Sequence, residues 1–399
     1  MEKKSILIFG AGKIGRSFIG QLFGASGYEV VFSDVDAGLV ALLNCRKSYT
    51  VVVKGEKEET IYISPVRAVD FADEQAVTEK IRNCSIMAVS VGKNALLKII
   101  PVIAHGLINR YRSHENDPLD IIIAENMRSA RDVVYRELAH NLPEDFPLDE
   151  YVGLIETSIG KMVPIMTAEE IKKDPLSVFA EPYNQLILDK KGFRNKIPAV
   201  NGLVLSENIK AWVDRKAFIH NLGHATAAYY GYFTHPDAIY LYEVLEDKRV
   251  LDFTREVMHQ SADILLTIYA DEFTEDELSA HIDDLLSRFR NRALKDTIFR
   301  VGQDVPRKLG ADDRFMGIIR LAVTLKMPYE KILKAMTYAL FFRAMDEHGN
   351  RAEQDVIFEK LLSQGASYAL QKVSGIDSAN DRELTETLRT LIKRLEKDR

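Results

Sequence analysis

Three polar side chains interrupt one apolar stretch of this chain: Lys216, Asn221 and His224, in K-A-F-I-H-N-L-G-H. Residues 206–231 read as one long helix, with Ser206 at its N-cap and Gly231 at its end. At about 100° per residue, Ile209, Trp212, Val213, Ile219 and Gly223 all project within about 60° of Lys216. The lysine therefore sits in the middle of an apolar stripe. Interior lysines are rare unless paired or used; taken alone, this one could equally snorkel its ammonium to a solvent edge. Asn221 and His224 follow on the same helix, and the three lie within an arc of about 140°. A lysine, an amide and an imidazole converging on one cavity can together remove a proton from an alcohol and hold its oxygen. A lysine base must be neutral, and its ordinary pKa is about 10.4; partial desolvation against Trp212 and Val213 would push that value down.

A second constellation lies near the N-terminus. Ser5–Phe9 is a short apolar run that reads as a buried strand, and G-A-G-K-I-G follows at once. Gly10, Gly12 and Gly15 have G-x-G-x-x-G spacing, with Ala11, Lys13 and Ile14 between them and residues 14–23 as the ensuing helix. Glycine serves here a tight turn, close approach of backbone to a pyrophosphate, and close packing of helix on strand. The anion then rests on free N–H groups at the helix N-terminus. A second apolar strand, residues 29–33, ends at Asp34, 24 residues after Gly10. A carboxylate there accepts hydrogen bonds from ribose hydroxyls and repels a 2′-phosphate, which favours NAD over NADP. Asp36 is the rival acid, and the nearby Arg46 and Lys47 keep NADP open.

The elements that must position these groups fall into two kinds. Strands and helices alternate in the first half: 49–53 and 59–63 read as a hairpin around Gly55, and 85–91 and 120–124 as buried parallel strands. Runs 151–159 and 176–188 read as strands extending the same sheet. From about residue 206 the pattern turns almost wholly helical, closing with 384–395, where Leu384, Leu388, Leu391, Ile392 and Leu395 share a face. An α/β domain over residues 1–200 and a mostly helical domain over 201–399 are expected, with the boundary in 193–202.

Composition narrows the function. At 399 residues two domains can each bury a core. A formal net charge of −6 with scattered basic residues argues against a nucleic-acid partner. No stretch approaches the 18 apolar residues of a membrane span, and the opening residues are not expected to act as a signal peptide. Cys45 and Cys84 are too few for a disulfide framework or a metal knuckle and suit a reducing cytosol, so a cytoplasmic location is expected. His220 and His224 have the spacing of a helical metal pair, but no H-E-x-x-H, third histidine or nearby cysteine completes a site, so no metal is expected. Glu125 is either an acid catalyst or, at a strand end, a loop anchor.

The chain resembles the polyol-specific long-chain dehydrogenases, the mannitol dehydrogenase family. The segments that carry the likeness are I-F-G-A-G-K-I-G-R-S-F-I-G, L-N-C-R-K-S-Y, S-V-G-K, A-E-N-M, D-R-K-A-F-I-H-N-L-G-H, R-F-R-N, and P-R-K-L with D-D-R. K-x4-N-x2-H is the specific signature among them. The resemblance implies an α/β fold with a Rossmann-type parallel sheet domain followed by a mostly helical C-terminal domain, NAD as cofactor and no metal. It implies Lys216 as general acid/base, with Asn221 and His224 polarising the reacting oxygen through the amide and a ring N–H. It also implies a positioning role for Asn126, substrate-side cations at Arg300 and Lys308, and Ser90, Val91 and Gly92 beside the nicotinamide. The shorter, phosphate-polyol branch is implied, interconverting mannitol 1-phosphate and fructose 6-phosphate. Lys161 is a further candidate phosphate cation, and Arg307 and Arg314 either bind phosphate or solvate a helix face. Gly160-Lys161 stands where the family usually has Asp-Arg, Gln303 where close relatives have Arg, and Arg292 where they have Pro, which leaves the exact polyol open. The rivals are a hexuronate reductase, a free-polyol dehydrogenase, or a non-catalytic NAD sensor, although a sensor needs no buried base. The expected partner is a small sugar phosphate, and the resemblance implies a monomer or weak homodimer.

Overall fold

The computed structural model describes residues 4–55, 57–113, 116–125, 127–377 and 381–398. The chain divides into two compact units, Met1–Val213 and Asp214–Arg399. The first is built on strands β1 (Ser5–Phe9), β2 (Glu29–Asp34), β3 (Tyr49–Lys54), β4 (Glu58–Ile63), β5 (Val66–Asp70), β6 (Ile86–Val89), β7 (Leu119–Ile123), β8 (Val152–Ile159), β9 (Val178–Ala180), β10 (Leu186–Asp189) and β11 (Leu203–Ser206). Eight form one sheet in the order β11-β10-β8-β7-β6-β1-β2-β5. The six from β5 to β8 are parallel, while β10 runs antiparallel to β8 and parallel to β11.

The unbroken apolar runs have a direct cause. Ile6, Ile8, Val30 and Phe32 enter one core cluster, and Leu7, Phe9, Val31 and Met87 enter another. Successive side chains point to opposite faces, and both faces are covered, so neither parity can be polar. Full burial of each such side chain contributes about 1.5–3 kcal/mol. Strand order reverses at β1, the position at which open α/β sheets bind ligands beyond their carboxyl ends. The glycine loop leaves β1 at that end.

The expected hairpin forms between β3 and β4. The 176–188 run does not stay in the main sheet, however. It splits into β9, which pairs in parallel with β3 in a separate three-stranded sheet, and β10. Val178 and Val51 are register partners, and both are buried in the same core cluster as Ile6, Ile8, Val30 and Phe32, so the small sheet packs onto one face of the large one. The N-terminal unit runs on past residue 200 to Val213, because β11 is hydrogen-bonded to β10.

The second unit is helical. Its longer members are Leu222–Thr234, Lys248–Ile268, Glu275–Phe289, Met316–Leu325, Glu330–Tyr338, Glu353–Leu362, Ala366–Ser374 and Arg382–Asp398. Thr274 and Glu277 form a reciprocal capping box at the start of Glu275–Phe289, satisfying two N–H groups that the helix cannot. Leu384, Leu388 and Leu395 are buried on one face of the last helix. Among the described residues, no helix is long and apolar enough to cross a membrane.

The helix read over 206–231 is composite. Ser206 ends β11 and uses its hydroxyl to accept from the Asn208 N–H. Helix Ile209–Arg215 follows, then a π-helical turn over Lys216–Asn221, then helix Leu222–Thr234. Gly231 does not stop it. Its missing Cβ instead admits Val244, which a methyl group there would meet at 2.5 Å.

Candidate active site

The glycine loop is a backbone construction. Gly10 has φ +94°, a left-handed conformation that L side chains resist, and a Cβ there would lie 2.6 Å from the Ser90 carbonyl oxygen. A Cβ on Gly15 would lie 1.9 Å from the Gly10 carbonyl oxygen, so the turn closes only on glycine. Gly12 differs: nothing lies within 4 Å of where its Cβ would be. That open, exposed position gives a pyrophosphate room to approach the main chain. Lys13 is exposed beside it, and Ile14 leads into a π-helical segment, Gly15–Gly20.

Two carboxylates brace the main chain at the carboxyl ends of the strands, Asp34 at the glycine loop and Glu125 at the residues after β6. Asp34 accepts from the Ala11 N–H at 2.6 Å and from the Asp36 N–H at 3.0 Å, which fixes it at the tip of β2 beside the glycines. Asp36, the rival acid, caps the next helix through the Leu39 N–H. Glu125 accepts from the N–H groups of Val91 and Gly92 at 2.8 and 3.0 Å. It is thus the loop anchor, and burial raises its pKa while those two bonds oppose the rise. Gly92 is itself left-handed, at φ +85°, with open space where a Cβ would sit. The residues present fit a dinucleotide: an open glycine, a braced acid and a shaped β6 terminus.

In the second unit, Lys216, Asn221 and His224 lie on the π turn and the helix after it. Bonding from i to i+5 brings Asn221 round towards the direction of Lys216. An α-helix at about 100° per residue would have turned it about 140° away. Ser261, wholly buried on helix Lys248–Ile268, donates its hydroxyl to the Phe218 carbonyl at 2.6 Å inside the widened turn. Gly223 lets Met258 press against the backbone, and Gly317 does the same for the Phe218 ring.

The electrostatics suit a base. The Lys216 pKa is lowered to about 8, chiefly by burial and then by Arg314, with Asp313 opposing. The His224 pKa falls well below the ordinary histidine value, by burial first and then by Arg300, Lys308 and Arg314. Its ring stacks on Phe289 with centroids 4.6 Å apart and planes at 11°. His224 Nε2 lies 3.3 Å from Asp296 Oδ2, yet neither atom has a hydrogen-bond partner. Asp296 Oδ1 accepts from Arg300. His220 is buried and packs at a tilt against Phe289, with ring centroids 5.6 Å apart. No cluster of three metal-ligating side chains occurs among the described residues.

The candidate cations part company. Lys308 is buried and donates to the carbonyls of Val301, at 2.8 Å, and Gln303; burial lowers its pKa to about 7. Arg300 stays partly exposed beside Asp296. Arg314 donates to the Asn221 carbonyl at 3.3 Å and to Asp313, and Arg307 pairs with Asp304. Lys161 belongs to the N-terminal unit, buried, with its ammonium on Asn184 at 2.8 Å and Gln21 at 3.3 Å and lying over the Phe18 ring. These contacts make it a packing element and not an open phosphate cation. Asn126 lies outside the described residues.

Sequence reasoning overlooked Asp296 and Ser261. A buried aspartate just before the Thr297 N-cap looks like ordinary helix-start chemistry, and a lone serine in a long helix gives no signal of the turn it supports.

The mannitol dehydrogenase Rossmann-domain model matches residues 4–202, and the mannitol dehydrogenase C-terminal-domain model matches residues 208–386. The structure resembles Pseudomonas fluorescens mannitol 2-dehydrogenase, solved as a ternary complex with NAD and D-mannitol. That match has a TM-score of 0.70 and 15% identity, covering 98% of this chain and 94% of that one. It also resembles an octopine dehydrogenase solved with NADH and pyruvate, with a TM-score of 0.51 and 13% identity over 94% of this chain and 99% of that one.

Proposed function

The chain belongs to the mannitol dehydrogenase family, and from that premise we propose that it is an NAD-dependent dehydrogenase of a sugar-alcohol phosphate. The reaction interconverts mannitol 1-phosphate and fructose 6-phosphate. The observation that carries the reading is the Lys216 turn, which combines a lysine with its pKa lowered to about 8, an amide and a neutral imidazole on one short segment.

Gly10–Ala11–Gly12 and the following helix start would hold the pyrophosphate, Asp34 the adenosine ribose, and the Val91–Gly92 backbone the nicotinamide end. When bound, NAD supplies the hydride acceptor. Lys216, neutral, takes the proton of the alcohol; as an ammonium it returns a proton to the ketose oxygen. Asn221 donates to that oxygen as its negative charge develops, an interaction typically worth a few kcal/mol.

Phosphate selectivity is supported by the cations of residues 300–314. Arg300 and Arg307 are partly exposed, and Lys308, when protonated, has three N–H donors of which two are engaged by carbonyls. A phosphate dianion would gain charge-assisted bonds from such groups. Lys161 is left out of this set because Gln21 and Asn184 hold it.

Steady-state NADH oxidation with fructose 6-phosphate, fructose and tagaturonate tests the reading. Fructose 6-phosphate should have the highest kcat/KM by a wide margin. Comparable turnover of fructose would remove the phosphate claim, and preference for tagaturonate would make the protein a hexuronate reductase.

A further inference from the structure

We propose that Asp296 is a positioning residue that sets the tautomer of His224, holding the proton on Nε2 and leaving Nδ1 as a hydrogen-bond acceptor for a substrate hydroxyl. The hydroxyl clause rests on the function proposed above; the tautomer itself does not.

The geometry begins with a carboxylate that cannot move far. Asp296 is buried, and its segment is bolted to residues 239–241 by main-chain bonds. Leu241 N–H donates to the Asp296 carbonyl and Ile298 N–H to the Ile239 carbonyl, both at 2.8 Å, with Tyr240 and Thr297 bridged between them. One oxygen, Oδ1, is taken by Arg300. The other, Oδ2, is buried without a hydrogen-bond partner and lies 3.3 Å from His224 Nε2, which is equally without one. Two complementary orphans at that separation need only a small ring rotation to bond. The Phe289 ring, stacked on the imidazole at 4.6 Å, resists a flip about Cβ–Cγ and so keeps Nε2 on the side of Asp296.

The chemistry then fixes the proton. A carboxylate accepts and does not donate, so the nitrogen facing it must be the N–H. A neutral imidazole has one donor and one acceptor nitrogen, and the partner of the first decides the second. His224 is neutral near pH 7, because burial and the nearby basic residues Arg300, Lys308, Arg314 and Arg288 disfavour a further charge. Nδ1 therefore lacks a proton and accepts. This differs from the expectation of a ring N–H directed at the reacting oxygen and leaves that duty to Asn221. Asp296 also aligns Arg300, so one carboxylate orients two groups of the site.

The test uses the whole protein labelled with 15N-histidine, with His224 assigned by the signals lost in His224→Gln. Long-range proton–nitrogen correlation should show the Nε2–H tautomer in the unmodified protein without substrate. Asp296→Asn keeps the shape, but Arg300 would claim the amide oxygen and turn the NH2 group toward Nε2. The tautomer should then switch to Nδ1–H. Turnover should fall about tenfold or more, a fraction of a full acid/base loss, with NADH affinity unchanged. An Nδ1–H tautomer in the unmodified protein overturns the proposal, even if the variant does not fold. So does an Asp296→Asn protein that keeps both tautomer and turnover. If no sugar in the panel is reduced while Nε2 carries the proton, the proposed function fails and the Asp296 link stands.

Discussion

The glycine loop and the Lys216 turn are built from opposite materials. The loop is main chain: glycines at 10 and 15 that accept no Cβ, the Ala11 N–H held by Asp34, open space over Gly12, and beside it the Val91 and Gly92 N–H groups held by Glu125. The turn is side chains on a distorted helix, and it keeps buried polar atoms without partners at His224 and Asp296. A backbone site can be fully braced in advance because its ligand needs only shape and N–H donors. A side-chain site that moves a proton must hold groups poised between two states, and burial of Lys216 holds that poise at some cost in solvation. One site is therefore expected to fail by losing affinity, the other by losing rate.

The largest expected effect separates the two. Lys216→Ala should lower turnover by about two to four orders of magnitude, the usual size of a lost general acid/base. NADH affinity, measured by calorimetry, should barely change. With a lysine pKa of about 8, polyol oxidation needs the neutral form and should rise with pH through that value. Ketose reduction needs the ammonium and should fall across the same range. Both limbs should vanish in the variant; a variant with most of its turnover left would place the acid/base elsewhere.

A smaller pair of effects probes the loop. Gly12→Ala adds a methyl into open space, so the fold should hold while NADH affinity weakens about tenfold, equivalent to 1.4 kcal/mol. Gly15→Ala sets a Cβ 1.9 Å from the Gly10 carbonyl oxygen and should lower the melting temperature as well. Equal NADH affinity in Gly12→Ala and the unmodified protein would mean that no phosphate approaches there.

Legibility in the sequence followed the same division. Strands β1, β2, β6, β7 and β8 were readable to within a residue or two, since a parallel sheet buries both faces and leaves unbroken apolar runs. The glycine spacing gave the loop outright. The types and order of Lys216, Asn221 and His224 were readable too, but the π turn that narrows their arc was not, because helical periodicity assumes one fixed angle per residue. Lys161 looked like a cation for phosphate. Its partners Gln21 and Asn184 are distant in sequence, and no local pattern announces such a contact. β9 left the expected sheet for the same reason, its pairing with β3 being a long-range choice.

The smallest effect asks whether the π turn is maintained or merely tolerated. Ser261 is wholly buried and gives its proton to the Phe218 carbonyl, within the turn that carries Lys216. Ser261→Ala would leave that carbonyl without this donor, at a cost of about 1–3 kcal/mol if no other group replaces it. If the bond holds the turn wide, turnover should fall a few-fold with NADH affinity unchanged, and the pH limb near 8 should shift as Lys216 resettles. If the turn is fixed by Gly223 against Met258 and Gly317 against Phe218, only the melting temperature should drop. Ser261→Thr retains the hydroxyl and separates a missing bond from a disturbed packing site. Recovery of the pH limb in Thr but not in Ala would show that the hydrogen bond shapes the lysine's surroundings.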